Sequence, residues 1–444
     1  MLQKISDIIW GPLTPLLFAS TGLFFIIKLR FFSADNVRYI LKNTFGTLFS
    51  KDKKDGISPF TAMATALGGT IGVGNTVGVA SALISGGAGA VLWMIIASFF
   101  GMAIKYAEIF LAVKYKNHDN GGAVYYIEKG LGCRPLAVLF AVICIITSFG
   151  MGNMAQSDAA SRYASLTFSL NPAVCGILFA IVTLCMISGG MKRIGKVSAV
   201  TVPVMAALYI VMCGIIITVN HKNIPSAVTE IFRSAFDFSA ASGGVGGYFL
   251  SEAVRYGFSR GLFSNEAGMG SAPTAHAAST ETVPQKQAVW GVFEVFADTV
   301  AVCGMTALAV TSGNIKAEGD PSALIYKVFT NVFGSFGGIF LTVSIVFFAL
   351  ASIFCWYIYG SQALKYLSES PFLLTLYRII FSSAVYLGAV AGNRAVWNAS
   401  DIFNGIMAFI NIFVLVLLAN EVKPPCVGQD KNKSERLKNQ RETF

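Results

Sequence analysis

GGTIGVGN, residues 68–75, places four glycines in eight positions. Glycine in a helix interior costs roughly 1 kcal/mol relative to alanine. Yet this patch lies inside an uncharged segment running from Ser58 to Gly89. Three readings compete: a phosphate-cradling loop, a close-packing surface between membrane helices, or a break that exposes backbone to a ligand. A dinucleotide fingerprint needs GxGxxG between a strand and a helix. Gly72, Gly74 and Gly78 give GxGxxxG in an apolar helical context, so the first reading is weak. Gly68 with Gly72, and Gly74 with Gly78, have the small-xxx-small spacing of closely packed membrane helices. The third reading has its own physics. Unpaired backbone groups at membrane depth cost several kcal/mol unless they line a cavity or meet a ligand. An unwound stretch leaves free N–H groups that favour a carboxylate and free C=O groups that favour a cation. Glycine keeps side chains out of the way, and Asn75 supplies a side-chain oxygen for a hard cation such as sodium.

Composition sets the context. The chain has 444 residues, 55% hydrophobic and 13% charged, against about 25% charged in a soluble domain. Apolar runs recur along the whole length, which predicts a polytopic membrane protein. The net charge of +10 does not indicate nucleic acid, because the charges fall between and after the apolar runs. Eight cysteines without a CxxC, and three histidines, suggest neither a zinc site nor a disulfide framework.

A span needs about 20 apolar residues. Eleven candidates follow: 7–29, 59–85, 88–115, 135–164, 172–190, 195–219, 245–270, 287–312, 335–364, 370–391 and 397–420. The first is too long for a signal-peptide core and reads as a retained helix. With the C-terminal tail inside, 23 of the 33 Lys and Arg residues fall on the cytoplasmic side. This predicts an N-terminus outside and a C-terminus in the cytoplasm, in the cell membrane. Residues 33–50 read as an amphipathic surface helix. The basic tail 428–444 reads as disordered, with lipid as a contact.

Without the first helix, ten spans remain, five and five, and the first of each five carries a break. An odd number per half inverts the halves in the membrane, and matched breaks point to a transporter site near the midplane. The second break, around SNEAGMGSA (264–272), sets Ser264, Asn265 and Glu266 in a row. A carboxylate at that depth is costly and usually functional; a structural partner for a nearby arginine is the alternative. Lys105 with Glu108, and Glu252 with Arg255, are three apart and read as locally neutralising pairs. Asp158, Arg162, Glu294 and Asp298 are further ionisable residues in or near spans. Gln156, after GMGN, suits orienting a substrate. Phe258 and Trp356 are aromatics near the breaks, where packing is the commoner role.

At these breaks the sequence resembles the alanine/glycine:cation symporter family of bacteria and archaea. The resemblance is carried by SPFTAMATALGGTIGVGNTVGVA (58–80), FGMAIKYAEIFLAVKY (100–115), GGAVYYIEKGLG (121–132), GNMAQ (152–156), RGLFSNEAGMGSAPTAHAA (260–278), YRIIF (377–381) and MAFIN (407–411). It implies an all-α, LeuT-like five-plus-five inverted repeat with one extra N-terminal helix, about 11 transmembrane helices and two discontinuous ones. Residues 58–219 and 220–420 would be the repeats, 1–57 the addition and 421–444 the tail. It also implies sodium-coupled uptake of a small neutral amino acid, alanine or glycine, by alternating access. The carbonyls of Gly68 and Ile71 with the Ser352 hydroxyl would hold one sodium. The Thr70 carbonyl and Asn75 would form part of a second cation site, beside Thr70 and Gly72 as receivers of the substrate. Gln156, Phe258, Leu262 and Trp356 would line the pocket, and Ser264, Asn265 and Glu266 would serve gating. The family's paired hydroxyls before that tryptophan are Ala351–Ser352 here; Ser361 and Ile410 depart from its pattern as well. Proton coupling, or an uncoupled channel or facilitator, stands as the alternative. An enzyme would need a nucleophile with a base, and His276 has no evident partner set in the sequence. No cofactor and no nucleic acid partner are expected, only sodium, the amino acid and lipid, and a monomer.

Overall fold

The computed structural model describes residues 9–11, 13–47, 56–117, 120–236, 252–313, 315–392 and 394–426, the side chains of 394–396 and 398 excepted. The tail expected at 428–444, the segment 245–251 of the seventh span and the first residues of the chain lie outside them.

The described residues are helical, joined by turns and two isolated bridges. The helices are α1 (Leu13–Lys28), α2 (Ala34–Asn43), α3 (Pro59–Thr70), α4 (Val77–Gly86), α5 (Gly89–Lys114), α6 (Arg134–Phe168), α7 (Pro172–Ile187) and α8 (Gly190–Val219). Then come α9 (Ile224–Ala235), α10 (Glu252–Asn265), α11 (Pro273–Ala277), α12 (Pro284–Ser312), α13 (Pro321–Phe333), α14 (Ser335–Leu367), α15 (Pro371–Ala391) and α16 (Arg394–Leu417). Seven of them are long and apolar enough to cross a membrane: α5, α6, α8, α12, α14, α15 and most of α16. α1, α4 and α7 are shorter apolar helices.

The exposure pattern is that of a protein in lipid. Ile181 on α7, Val211 on α8 and Ile379 on α15 are more than half exposed. Lys105, Glu108, Glu266, Glu294 and Asp298 have no exposure at all. Water would favour the reverse; hydrocarbon tolerates apolar side chains outside and confines charge to the interior.

Both expected breaks are present. α3 begins where Pro59 takes the first helical position and the Ser58 Oγ accepts the Thr61 N–H at 3.1 Å. It ends at Thr70, and a single tight turn, Val73–Asn75, precedes α4. α10 ends at Asn265, and left-handed backbone at Glu266 (φ 53°), Gly268 (82°) and Gly270 (76°) carries the chain to α11. Glycine takes that conformation freely; glutamate does so at a cost.

α5 packs against α10 and α12, and α3 packs on α8 and α14. The other group is α6 with α14 and α7 with α15. The extra helix α1 lies on α5. Two helices stand where connecting loops were expected. α9 buries Ala227, Ile231 and Ala235, one every four residues, and α13 buries Leu324, Ile325, Val328 and Phe329. Each has an apolar stripe but is too short to span, so a search for long apolar runs passes over it.

Candidate functional site

A continuous helix through residues 68–73 would pair the Gly68 and Gly69 carbonyls with the N–H groups of Gly72 and Val73. Here those donors go elsewhere. The Gly72 N–H bonds the Asn75 Oδ1 at 2.9 Å, and the Val73 N–H bonds the Gln156 Oε1 at 3.1 Å. The two carbonyls are thereby freed from the helix. The Ser352 hydroxyl, from α14, donates to them at 3.1 and 3.3 Å. At these four groups, side chains from α6, α14 and the break itself replace helical turns.

Contact leaves little room for a side chain here. A Cβ on Gly72 would lie 2.6 Å from the Ser352 Oγ and 2.9 Å from the Gln156 Oε1. One on Gly69 would lie 3.0 Å from the Cys355 Sγ and the Tyr359 Oη. The close-packing reading and the break reading thus hold together: the glycines admit α14 and free the backbone. Ala351, where a hydroxyl was expected, lies 3.6 Å from the Cβ position of Gly68. Ser198 of α8 brings its Oγ to 3.7 Å from the same point, a hydroxyl that the sequence reading missed.

The second expected cation ligand is placed differently. The Asn75 oxygen faces the Gly72 N–H, and its Nδ2 donates to Asp298, at 2.7 Å to Oδ1 and 3.1 Å to the backbone carbonyl. Asp298 lies on the π-helical turn Phe296–Cys303 of α12. Its Oδ2 accepts from the Ser264 Oγ at 2.9 Å and from the Thr299 Oγ1 at 2.8 Å. The Asn265 Nδ2 donates to the Thr299 Oγ1 at 3.0 Å. One buried carboxylate therefore ties the first break to the end of α10, where the second begins.

Other expected residues divide. Gln156 and Ser352 meet at Gly72. Trp356 lies one turn from Ser352 on the same helix. Phe258 stacks on Phe100, with centroids 6.3 Å apart, and meets Phe18 edge-on, so its ring belongs to the packing of α1 and α5. On α10 it is Phe263 that reaches the break, 3.4 Å from the Cβ position of Gly74. Leu262 is buried on α10 among the same core residues as Phe258.

The local pairing expected of Lys105 and Glu108 is replaced by contacts to other helices. Lys105 Nζ lies 3.3 Å from the Glu294 Oε1 of α12. Glu108 Oε1 accepts from the Gly270 N–H at 2.8 Å and from the Asn411 Nδ2 at 2.6 Å. His276 does have partners, Glu294 at 2.8 Å and Gln287 at 2.9 Å. A cavity of about 690 Å³ opens between α4, α6, α10 and α16. Arg260 and Asp401 stand 3.6 Å apart on its wall.

Residues 1–442 match the sodium:alanine symporter family. The chain is 37% identical to "Sodium/alanine symporter AgcS" of Methanococcus maripaludis, over 99% of this chain and 98% of that one. It is 34% identical to "Probable sodium/glutamine symporter GlnT" of Bacillus subtilis, over 94% and 87%. The solved structure of a Na+-coupled sialic acid symporter in a substrate-bound outward-open state superposes with a TM-score of 0.57 at 10% identity, covering 90% of this chain and 86% of that one. That likeness shows the fold, the LeuT-like arrangement. The chain belongs to the sodium:alanine symporter family, and it is a membrane transporter that moves an amino acid together with sodium.

Proposed function

We propose that the chain imports alanine, with glycine as a second substrate, driven by sodium entering at two positions beside the first break. The observation that carries this reading is the Ser352 hydroxyl lying on the freed carbonyls of Gly68 and Gly69. Oxygen atoms in that arrangement suit a hard cation: the hydroxyl turns its lone pair instead of its proton toward the site. Gly68, Ile71 and Ser352 form the first position, and Ser198 supplies the oxygen that Ala351 lacks. Thr70, Asn75, Ser264 and Asp298 surround the second. The substrate carboxylate approaches the N–H groups at Gly72 and Val73, with Gln156 and Trp356 beside it. A site this crowded suits a side chain no larger than a methyl group. The repeats are 58–219 and 220–420, with the N-terminus outside and the C-terminus cytoplasmic, which places the lysine- and arginine-rich loops inside.

The test is uptake of labelled alanine into proteoliposomes with an inward sodium gradient, competed by unlabelled glycine and glutamine. Accumulation above the outside concentration, competed by glycine and abolished when choline replaces sodium, is expected. Equal uptake without sodium would defeat the reading, and competition by glutamine alone would reassign the substrate.

The first cation position makes a separate prediction. Ser198→Ala is expected to raise the sodium concentration for half-maximal uptake by roughly three- to tenfold, the scale of one hydrogen bond or ligand contact of ~1 kcal/mol. Ala351→Ser is expected to lower it and to restore the Ser198→Ala protein. A sodium titration of the two single variants and the double variant decides. If Ser198→Ala and wild type coincide, Ser198 is not a ligand.

A further inference from the structure

Glu266 is fully buried and sits in the left-handed region between α10 and α11. Its two oxygens are both engaged. Oε1 accepts from the Trp356 indole Nε1 at 2.9 Å, and Oε2 accepts from the Ser271 Oγ at 2.6 Å. The ion pair of Lys105 goes to Glu294, so Glu266 is more than the counter-charge of that lysine. What it holds is the indole one turn along α14 from Ser352, whose hydroxyl meets the first break. Trp356 has no exposure, and its indole lies directly on the backbone of Gly152, in the π-helical turn Gly150–Met154 of α6. A Cβ on Gly152 would come within 2.0 Å of the indole Cγ. The ring of Tyr359 stands edge-on to the indole at 5.3 Å. Packing thus fixes the faces of the ring, and one hydrogen bond fixes its rotation in the plane. The same π turn accepts the other end of Gln156, whose Nε2 donates to the Met151 carbonyl at 3.2 Å. Gln156, which meets Gly72, and Trp356, one turn along α14 from the Ser352 that also meets it, are therefore aligned by one segment.

We infer that Glu266 is a positioning residue that sets substrate size: by holding the Trp356 Nε1 it fixes how far the indole reaches toward the substrate position proposed above. This inference rests on the small-amino-acid reading above. The hydrogen bond needs an acceptor oxygen at that distance and does not need the negative charge. A glutamine keeps the oxygen and the length, and an alanine removes both. A phenylalanine at 356 keeps a ring and removes the donor.

The experiment measures kcat/KM for sodium-driven uptake of alanine and of 2-aminobutyrate, which differ by one methylene. The proteins are wild type, Glu266→Gln, Glu266→Ala, Trp356→Phe and the Glu266→Ala/Trp356→Phe double variant. Glu266→Gln is expected to keep the wild-type preference. Glu266→Ala and Trp356→Phe are each expected to relax it about tenfold, the low end of what one methylene is worth in a tight pocket. The double variant is expected to relax it no further than either single change, because both remove the same bond. A residue that merely supports the fold would lower both uptakes together and leave the ratio alone. An unchanged ratio in Glu266→Ala, a Glu266→Gln protein as relaxed as Glu266→Ala, or multiplying effects in the double variant would each overturn the inference. Should Glu266→Ala be missing from the membrane, the pair Glu266→Gln and Trp356→Phe decides: the ratio must hold in the first and relax in the second. If wild type carries no alanine, the substrate reading fails by itself. The ratio is then formed between two homologous substrates that wild type does carry, and the role of Glu266 is read from it.

Discussion

Asp298→Asn is expected to raise the sodium concentration for half-maximal uptake by at least about tenfold, with the protein still present in the membrane. The carboxylate accepts three side-chain hydrogen bonds: Asn75 at 2.7 Å, Ser264 at 2.9 Å and Thr299 at 2.8 Å. Asparagine has the same shape but only one oxygen, so its amide must point N–H groups at some of these donors. One unsatisfied buried donor costs ~1–3 kcal/mol, which is about five- to a hundredfold in an equilibrium. Two effects then act in the same direction. The negative charge at the proposed second cation position is gone, and Asn75 and Ser264, which hydrogen-bond to that carboxylate, are released. Asp298→Ala would leave a cavity as well and confuse affinity with folding, so the isosteric change is the informative one. The measurement is a sodium titration of alanine uptake, normalised to the amount of protein in the vesicle. A curve superimposable on wild type would exclude Asp298 from the cation path.

Asp298 also marks where sequence reasoning stops. It stood in a row of ionisable residues with no evident partner, because the helical spacing rule looks only along one helix. Its actual partners are Asn75, 223 positions earlier in the chain, and Ser264, 34 positions earlier. Lys105 and Glu108 show the same limit from the other side. Three-residue spacing puts them on neighbouring positions of α5, yet one pairs with α12 and the other with Asn411 of α16. Charge balance in an apolar interior is settled by whichever helix arrives, and arrival is a tertiary event.

The breaks themselves were legible, and for a physical reason. Clustered glycines inside an apolar run contradict the helix that the run demands, and such a conflict between local propensity and context marks functional sites. The long spans were legible because hydrocarbon imposes length and polarity on them. The rotation of each helix was not. Phe258 and Phe263 are five residues apart on α10, so they project in directions well over 90° apart. Only packing decides which of them faces Gly74, and it is Phe263. Ser198 was missed likewise: a serine in an apolar span carries no signal until α8 is laid against α3.

Gly72→Ala is expected to abolish uptake while leaving the protein folded, and Gly78→Ala is its control. Both glycines lie in the first broken span, and helical propensity alone would make both changes mildly favourable. Gly78 has nothing within 4 Å of its Cβ position, so its substitution is expected to transport near the wild-type level. Gly72 is confined by the Ser352 Oγ at 2.6 Å and the Gln156 Oε1 at 2.9 Å. Its backbone (φ −142°, ψ −149°) lies outside the left-handed region, so the objection to alanine is contact, not strain. A methyl group forces a choice. Ser352 rotates away and gives up the carbonyls of Gly68 and Gly69, or Gln156 swings away and gives up the Val73 N–H. Either loss costs only ~0.5–1.5 kcal/mol of stability, a modest effect on folding. For transport the proposed site predicts a far larger consequence, because the methyl would fill the approach of a carboxylate to the backbone donors and loosen a cation position in the same stroke. Thermal unfolding in detergent, read beside sodium-driven alanine uptake, separates the two. Should Gly72→Ala carry alanine as Gly78→Ala does, the ligand does not touch the backbone at this break, and GGTIGVGN serves only to pack α3 against α14.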